Sequence, residues 1–419
     1  MIREIINIQI GQGGNAIGQM FWNFLNSEHL LYIYFNRSSP LNEKRAVYFN
    51  EEPNQKFIAR SIFVGLKDQI NDLQKRYINT IFSPTNFIYS NPEKINIWSK
   101  QFYTENPNVC DMIIDSVRKE SEKCDFLQGF QILHCLGGST GSGLSCLILE
   151  KLRDEYPDVV LSTFSVLPHK TEGLTGLINC ELSFPYLIKY SDATFCYDND
   201  KIEKMCLKGL HSTQISYDDL NYLIAHSMSG ITGQYRFPDQ INSELRKVVI
   251  NHVTFPRLHF LSSSFAPFAS RGGNRLHGFN PVQLSSDLFN DKFTFTNTND
   301  PNGVYMNASV CFRGRMKSKV LEEYVFPNFE KIKPDLSIKT SFCTVLTDYP
   351  DYAASLITNH TSIKQHFVEY NKIFDKFCSS KGFLHYYTDK GVELDDFKQA
   401  RENLTDLIEQ YEMIETENK

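Results

Sequence analysis

Residues 137–143 read Gly-Gly-Ser-Thr-Gly-Ser-Gly, and the stretches on either side of them constrain the chain more than any other feature. Before them, Phe130-Gln-Ile-Leu-His-Cys-Leu136 is an apolar run of strand length. After them, Leu144, Leu147, Ile148 and Leu152 recur at steps of three and four, the spacing of a helix with one buried face. A glycine-rich turn between a strand and a helix N-terminus is a phosphate site. The glycines let backbone N–H groups approach the anion, and the helix dipole favours negative charge there. No Gly-Lys-Ser/Thr follows, so the loop is not of the Walker type. Nor are its glycines spaced as in the dinucleotide-binding fingerprint.

The rest of the first half alternates strand and helix signals, the pattern of a parallel sheet flanked by helices and thus of an α/β fold. Ile6, Ile8 and Ile10 mark a first strand, followed by Gly11-Gln12-Gly13-Gly14 and a helix carrying Phe21 and Trp22. Val159–Leu167 and Ala193–Tyr197 read as further strands, the second leading into Asp198-Asn199. Ser216-Tyr-Asp-Asp219 fits a capping box and predicts the start of a long helix. Strands are expected at 257–265, 308–312 and 342–346. Near the end, Phe397, Ala400, Leu404, Leu407, Tyr411 and Ile414 alternate steps of three and four. With the apolar residues of 362–377 they predict two antiparallel helices lying on the body rather than a coiled-coil seam.

Composition narrows the function. The 419 residues are 41% hydrophobic, 22% charged and 13% aromatic, as in a soluble globular protein. No apolar run reaches the roughly 18 residues of a membrane span, and the first residues read as a strand rather than a signal peptide. The ten cysteines form no C-x-x-C pair and sit mostly in apolar runs, as reduced core residues rather than zinc ligands. The net charge is −6, and residues 395–419 hold eight acidic and three basic residues. No basic stripe suggests a nucleic-acid surface.

The 137–143 loop resembles the signature loop of the tubulin family, Gly-Gly-Gly-Thr-Gly-Ser-Gly, with Ser139 in place of the third glycine. The N-terminus through Gly18 resembles that family too. So do Cys124–Phe130, Asp219-Leu-Asn221, Ser227–Gly230, Phe255-Pro-Arg-Leu-His-Phe260, Phe312-Arg-Gly-Arg-Met316 and Phe383–Thr388, in family order over nearly the whole chain. Several are closer to the β branch than to the α branch. The resemblance implies a tubulin/FtsZ-like architecture: a Rossmann-like nucleotide-binding domain (1–200), a connecting segment and central helix (201–236), an intermediate α/β domain (237–361) and a C-terminal helical hairpin (362–419).

It also implies GTP or GDP at the carboxyl ends of the strands. Gln12 and Gly13 would meet the phosphates from the first turn, and Cys135, Gly138, Ser139, Thr140 and Gly141 would form the main cradle. Tyr217 would stack on the base, Asn221 and Asn199 would read its edge, and Asn179 would serve the ribose loop. Tyr217 and Asn221, four apart on a helix, share a face. Two amides and an aromatic suit guanine, which presents O6 as acceptor and N1/N2 as donors.

Departures from the family cluster around the phosphates. Gly65 and Lys67 stand where the family has aspartate and glutamate linked to magnesium. Lys94-Ile95-Asn96-Ile97 replaces Ala-Gly-Asn-Asn, keeping Asn96. Cys135 replaces a serine and Gly176 a glutamate. No metal ligand is therefore assigned, Mg²⁺ is uncertain, and Lys67 is expected to offset phosphate charge. Hydrolysis, completed in this family by a neighbouring subunit, is expected to be slow. In the segment that would face that neighbour, Phe237–Lys247, Asn242 keeps its place. Lys247 stands where α-type subunits carry a glutamate, and Glu244 falls one turn too early. The implied partners are an α-tubulin-type subunit, lattice neighbours (through 270–276) and folding chaperones, in the cytoplasm and on microtubules. Two alternatives stay open: a non-polymerising relative that caps or sequesters partners, and a Rossmann oxidoreductase. The second lacks the acidic ribose residue expected about 20 positions after the first glycine turn.

Overall fold

Ile6, Ile8 and Ile10 of strand β1 (Glu4–Ile10) point into one apolar cluster, and Ile5 into another on the opposite side. The strand is buried on both faces, as a central strand of a sandwiched sheet must be. The computed structural model describes residues 3–35, 44–52, 56–77, 81–90, 96–104, 107–169, 173–209, 215–237, 244–267, 281–297, 300–314, 318–333, 336–343, 352–380 and 384–417.

From β1 the chain enters α1 (Gly11–Phe35), then β2 (Ser61–Leu66), α2 (Lys67–Tyr77), β3 (Phe87–Ser90) and α3 (Pro107–Ser121). The glycine-loop unit follows as β4 (Leu127–Cys135) and α4 (Ser145–Glu155), joined by a wide helical turn at Thr140–Leu144. Next come β5 (Val160–Leu167), α5 (Leu174–Tyr190), β6 (Ala193–Asp198), α6 (Asn199–Gly209), the central helix α7 (Tyr217–Arg236) and α8 (Leu245–His252). The remainder is β7 (Phe260–Ala266), α9 (Pro281–Leu288), β8 (Tyr305–Gly314), a helical run at 318–332, β9 (Ile338–Cys343), β10 (Tyr352–His360), α10 (Lys364–Ser380), α11 (Leu384–Thr388) and α12 (Leu394–Glu417).

One sheet takes in all ten of these strands, in the order β9-β8-β10-β7-β6-β5-β4-β1-β2-β3. Every pairing from β7 to β3 is parallel. Beyond β7 the direction reverses, because β10 runs antiparallel to both β7 and β8. The first and second halves are thus joined edge to edge through Thr194↔Phe260 and Phe195↔Leu261.

One face of the sheet is covered by α1 and α7, which bring Phe21, Trp22, Leu25, Leu223, Met228 and Tyr235 to a common cluster. The other carries α3, α4 and α5, sealed by the C-terminal helices through Phe367, Leu404, Leu407 and Tyr411. The expected stripe on α12 is therefore a packing face, buried except for the half-buried Ile414. The central helix starts as its cap predicts: the Ser216 hydroxyl accepts from the Asp219 N–H (3.3 Å), and the Asp219 carboxylate from the Ser216 N–H (3.0 Å).

One expectation for the second half needs correction, and one strand was not foreseen. The strand expected at 342–346 runs from Ile338 to Cys343, and residues 344–346 lie outside the described set. Strand β10 was not anticipated. Its sequence, Tyr-Ala-Ala-Ser-Leu-Ile-Thr-Asn-His, mixes small and polar residues with apolar ones, and burial between two neighbours decides its state. None of the ten cysteines is in a disulfide, and seven of them are buried. Among the described residues no helix is long and apolar enough to cross a membrane.

Candidate functional site

At the carboxyl ends of β1, β4, β5 and β6 the turns open into a cavity of about 710 Å³. Gly11 turns the chain out of β1 at φ 77°, a left-handed conformation costly for any side chain. Gln12 and Gly13, on the first turn of α1, reach the wall beside it. A Cβ at Gly13 would lie 2.2 Å from Cys135 Sγ, so the glycine here and the cysteine at the end of β4 fill one shared space.

Gly137, Gly138, Ser139, Thr140 and Gly141 form the next part of the wall. The Ser139 N–H donates to Asn96 Oδ1 (2.5 Å), and the Ser142 N–H and hydroxyl both donate to the Gly138 carbonyl (2.9 and 2.7 Å). Beneath the loop, His134 is wholly buried. Its Nδ1 lies 2.7 Å from the Gly141 carbonyl and its Nε2 2.7 Å from the Ser165 hydroxyl. A carbonyl can only accept, so Nδ1 carries the proton and Nε2 accepts from Ser165. Burial pushes the His134 pKa down to about 4, which leaves the ring neutral and fixed as a strut under the loop.

The far wall comes from α5, α6 and α7. Thr175 and Gly176 lie at the start of α5, Asn199 at the start of α6, and Tyr217, Asp218 and Asn221 on the first turns of α7. Tyr217 is 67% exposed, unusual for an aromatic at a buried helix's end and suited to a ring that takes a planar partner on its face.

Eleven of the thirteen binding residues picked from the sequence meet at this one wall: Gln12, Gly13, Asn96, Cys135, Gly138, Ser139, Thr140, Gly141, Asn199, Tyr217 and Asn221. Two, Asn179 and Lys67, are not among the lining residues. Asn179 is wholly buried one layer behind. Its Nδ2 donates to the carbonyls of Asn96 (3.2 Å) and Gly137 (3.1 Å), while its Oδ1 accepts from the Trp98 N–H (2.8 Å) and the Tyr387 hydroxyl (3.0 Å). It ties two wall loops together instead of lining the cavity. Lys67 opens α2 with its side chain exposed, and Leu66 and Gln69 take the wall. Two residues along a helix is about 200° of rotation, so Lys67 and Gln69 must face opposite ways. Lys94, Ile95, Asn242 and residues 270–276 lie outside the described residues.

Sequence reasoning missed Gln69 and His134. His134 left a faint signal as a polar residue inside an apolar strand. Gln69 left none, because the phase of α2 depends on where β2 ends. Among the described residues no group of three His, Cys, Asp or Glu side chains could hold a metal ion. A second groove, of about 950 Å³, lies between α4, α5, α8 and α12. Among its described lining residues there is no glycine turn to present backbone N–H groups to an anion.

Comparison with known proteins agrees with this geometry. The family model of the Tubulin/FtsZ family, GTPase domain, matches residues 4–207, and that of the Tubulin C-terminal domain matches residues 256–372. The chain is 36% identical to the tubulin beta-2 chain of Emericella nidulans, over 99% of this chain and 95% of that one. It is likewise 36% identical to the tubulin beta chain of Aspergillus fumigatus (99% and 95%) and to the tubulin beta-6 chain of Gallus gallus (99% and 96%). With the glycine loop at the head of α4, the capped central helix and two family domains in sequence, the chain belongs to the tubulin family as a divergent, β-tubulin-like member.

Proposed function

We propose that the cavity holds a guanine nucleotide, with its phosphates on the turns at Gln12–Gly13 and Gly138–Gly141 and its base between Tyr217, Asn221 and Asn199. The observation that carries this reading is the convergence on one wall of residues drawn from five separate stretches of sequence. The backbone N–H groups of the glycine loop and the N-terminus of α4 provide the anion site. The two amides match the donor and acceptor edge of guanine, and Tyr217 offers the stacking face. Family membership makes the chain a GTP-binding subunit of the cytoskeleton.

The finer reading is a microtubule subunit that pairs head to tail with an α-tubulin-type partner. Helix α8 packs at the amino end of β4, where Leu245 Cδ2 lies 2.5 Å from the position a Gly129 Cβ would take. The glycine loop leaves the carboxyl end of the same strand, some six residues or roughly 20 Å away. Stacked subunits therefore bring α8 of one against the nucleotide of the next. At this end the chain offers Lys247, exposed on α8, and Glu244, paired with Arg3 (2.5 Å). A lysine ammonium cannot act as a base, and Glu244 is engaged by Arg3, so in this reading the chain receives an activating residue from its partner and supplies none.

The test is to purify the full chain with an α-type partner and to identify its exchangeable nucleotide by chromatography and competition. GTP or GDP is expected, displaced by GTP and not by ATP. Equal competition by ATP would refute the base assignment.

A further inference from the structure

Mg²⁺ in phosphate sites keeps several waters and is held by one or two carboxylates together with the phosphates. The cavity corner beside Gln12 and Ala16, where β2 gives way to α2, does not fit that ion. At Gly65 the space for a Cβ lies 2.8 Å from Asn15 Nδ2 and 3.6 Å from Gln69 Oε1, so two amides stand where a side chain from residue 65 would reach. Asn15 Nδ2 donates to the Val64 carbonyl (2.9 Å), which turns its Oδ1 away from the strand. Asn15 Oδ1 and Gln69 Oε1 are both buried without a hydrogen-bond partner. Among the described wall residues the one carboxylate is Asp218, beside Tyr217 at the end assigned to the base.

We propose that this chain holds its nucleotide without a divalent cation anchored by the protein. In place of a charged corner, the cavity wall carries the neutral amide of Gln69, with the neutral amide of Asn15 buried behind it. A neutral oxygen supplies no net charge to offset the dehydration of a dication, and it does not repel a bare phosphate either. Nucleotide therefore binds about equally well with and without Mg²⁺. Lys67, on the opposite face of α2, takes no part. This inference rests on the reading of the cavity as the guanine-nucleotide site.

The experiment compares the unaltered chain with Gln69→Glu, each co-purified at full length with the same α-type partner, so that the partner's own nucleotide contributes equally to both. Affinity for exchangeable labelled GDP is measured in EDTA and in millimolar Mg²⁺, with the Mg²⁺ content of each preparation. For the unaltered chain a change of less than about 3-fold is expected. The isosteric Gln69→Glu places a carboxylate at the corner. It should weaken binding about 10-fold or more in EDTA, through repulsion of the phosphates, and recover with Mg²⁺. A tenfold loss on EDTA in the unaltered chain would overturn the proposal. So would a folded Gln69→Glu variant that remains indifferent to Mg²⁺. The first comparison stands by itself if the variant does not fold. Absence of exchangeable guanine nucleotide under both conditions would instead refute the nucleotide reading.

Discussion

Glu28→Ala should be among the most damaging single substitutions in this chain. Glu28 lies on α1, and its carboxylate accepts from Arg236 Nη1 on α7 (2.6 Å), the Ser229 hydroxyl (2.7 Å) and Arg313 Nη2 on β8. Both guanidiniums are buried, Arg236 at 0% and Arg313 at 2% exposure. Burial pushes the Glu28 carboxyl up, but Arg313 and Arg236 together outweigh it and hold the group well below the usual carboxylate range. Removing the carboxylate strands two positive charges in the core, a change that costs about 3–5 kcal/mol when one partner of a buried pair is deleted. That is a large part of the roughly 5–15 kcal/mol by which domains are stable. The assay is equilibrium urea unfolding followed by the fluorescence of Trp22, which is 1% exposed and six residues earlier on the same helix. Because the folded-state pKa is lowered, the carboxylate's contribution is complete above the unfolded value of 4.5 and is lost as pH falls below it. The gap between Glu28→Ala and the unaltered chain should therefore narrow under acid. A difference below about 0.5 kcal/mol at pH 7 would refute the argument.

Other consequences follow from the same structure. Asn221→Ala should weaken GTP binding about tenfold or more, since an unpaired buried polar group costs about 1–3 kcal/mol, and should leave ATP binding unchanged in competition assays. Leu407→Ala, at a wholly buried position on α12, should lower the urea unfolding free energy by about 2–5 kcal/mol without altering the oligomeric state. A change in assembly seen by ultracentrifugation would instead point to a partner-binding seam. Burial pushes the pKa values of His134, His252 and His360 from 6.5 down to about 4. Unfolding lets each take up a proton, so stability should fall as pH drops from 6.5 towards 4, by up to about 1.4 kcal/mol per pH unit for each ring. A urea midpoint that stays flat between pH 7.5 and 5.5 would refute this.

The features legible in the sequence are those in which a residue's neighbours along the chain decide its state. Strand β1, the glycine loop ahead of α4, the Ser216 cap and the stripe on α12 each depend on periods of two to four residues or on a backbone turn only glycine makes easily. Three stretches that the family resemblance placed near phosphates also reached the cavity: Gln12–Gly13, Asn96, and Cys135 with Gly137–Gly141. Tertiary structure alone decided the rest, because it depends on the phase and pairing of distant elements. Lys67 and Gln69 exchange inside and outside according to where β2 stops and α2 begins. Asn179 joins two loops of the wall because α5 turns it toward Asn96, Gly137 and Trp98. Strand β10 exists because β7 and β8 flank it, and Glu28 meets Arg236 and Arg313 across more than 200 residues of chain. Such contacts leave no periodic trace. They are fixed by which surfaces the folded sheet brings together, and a buried amide or charge gains its role only from the partner that satisfies it.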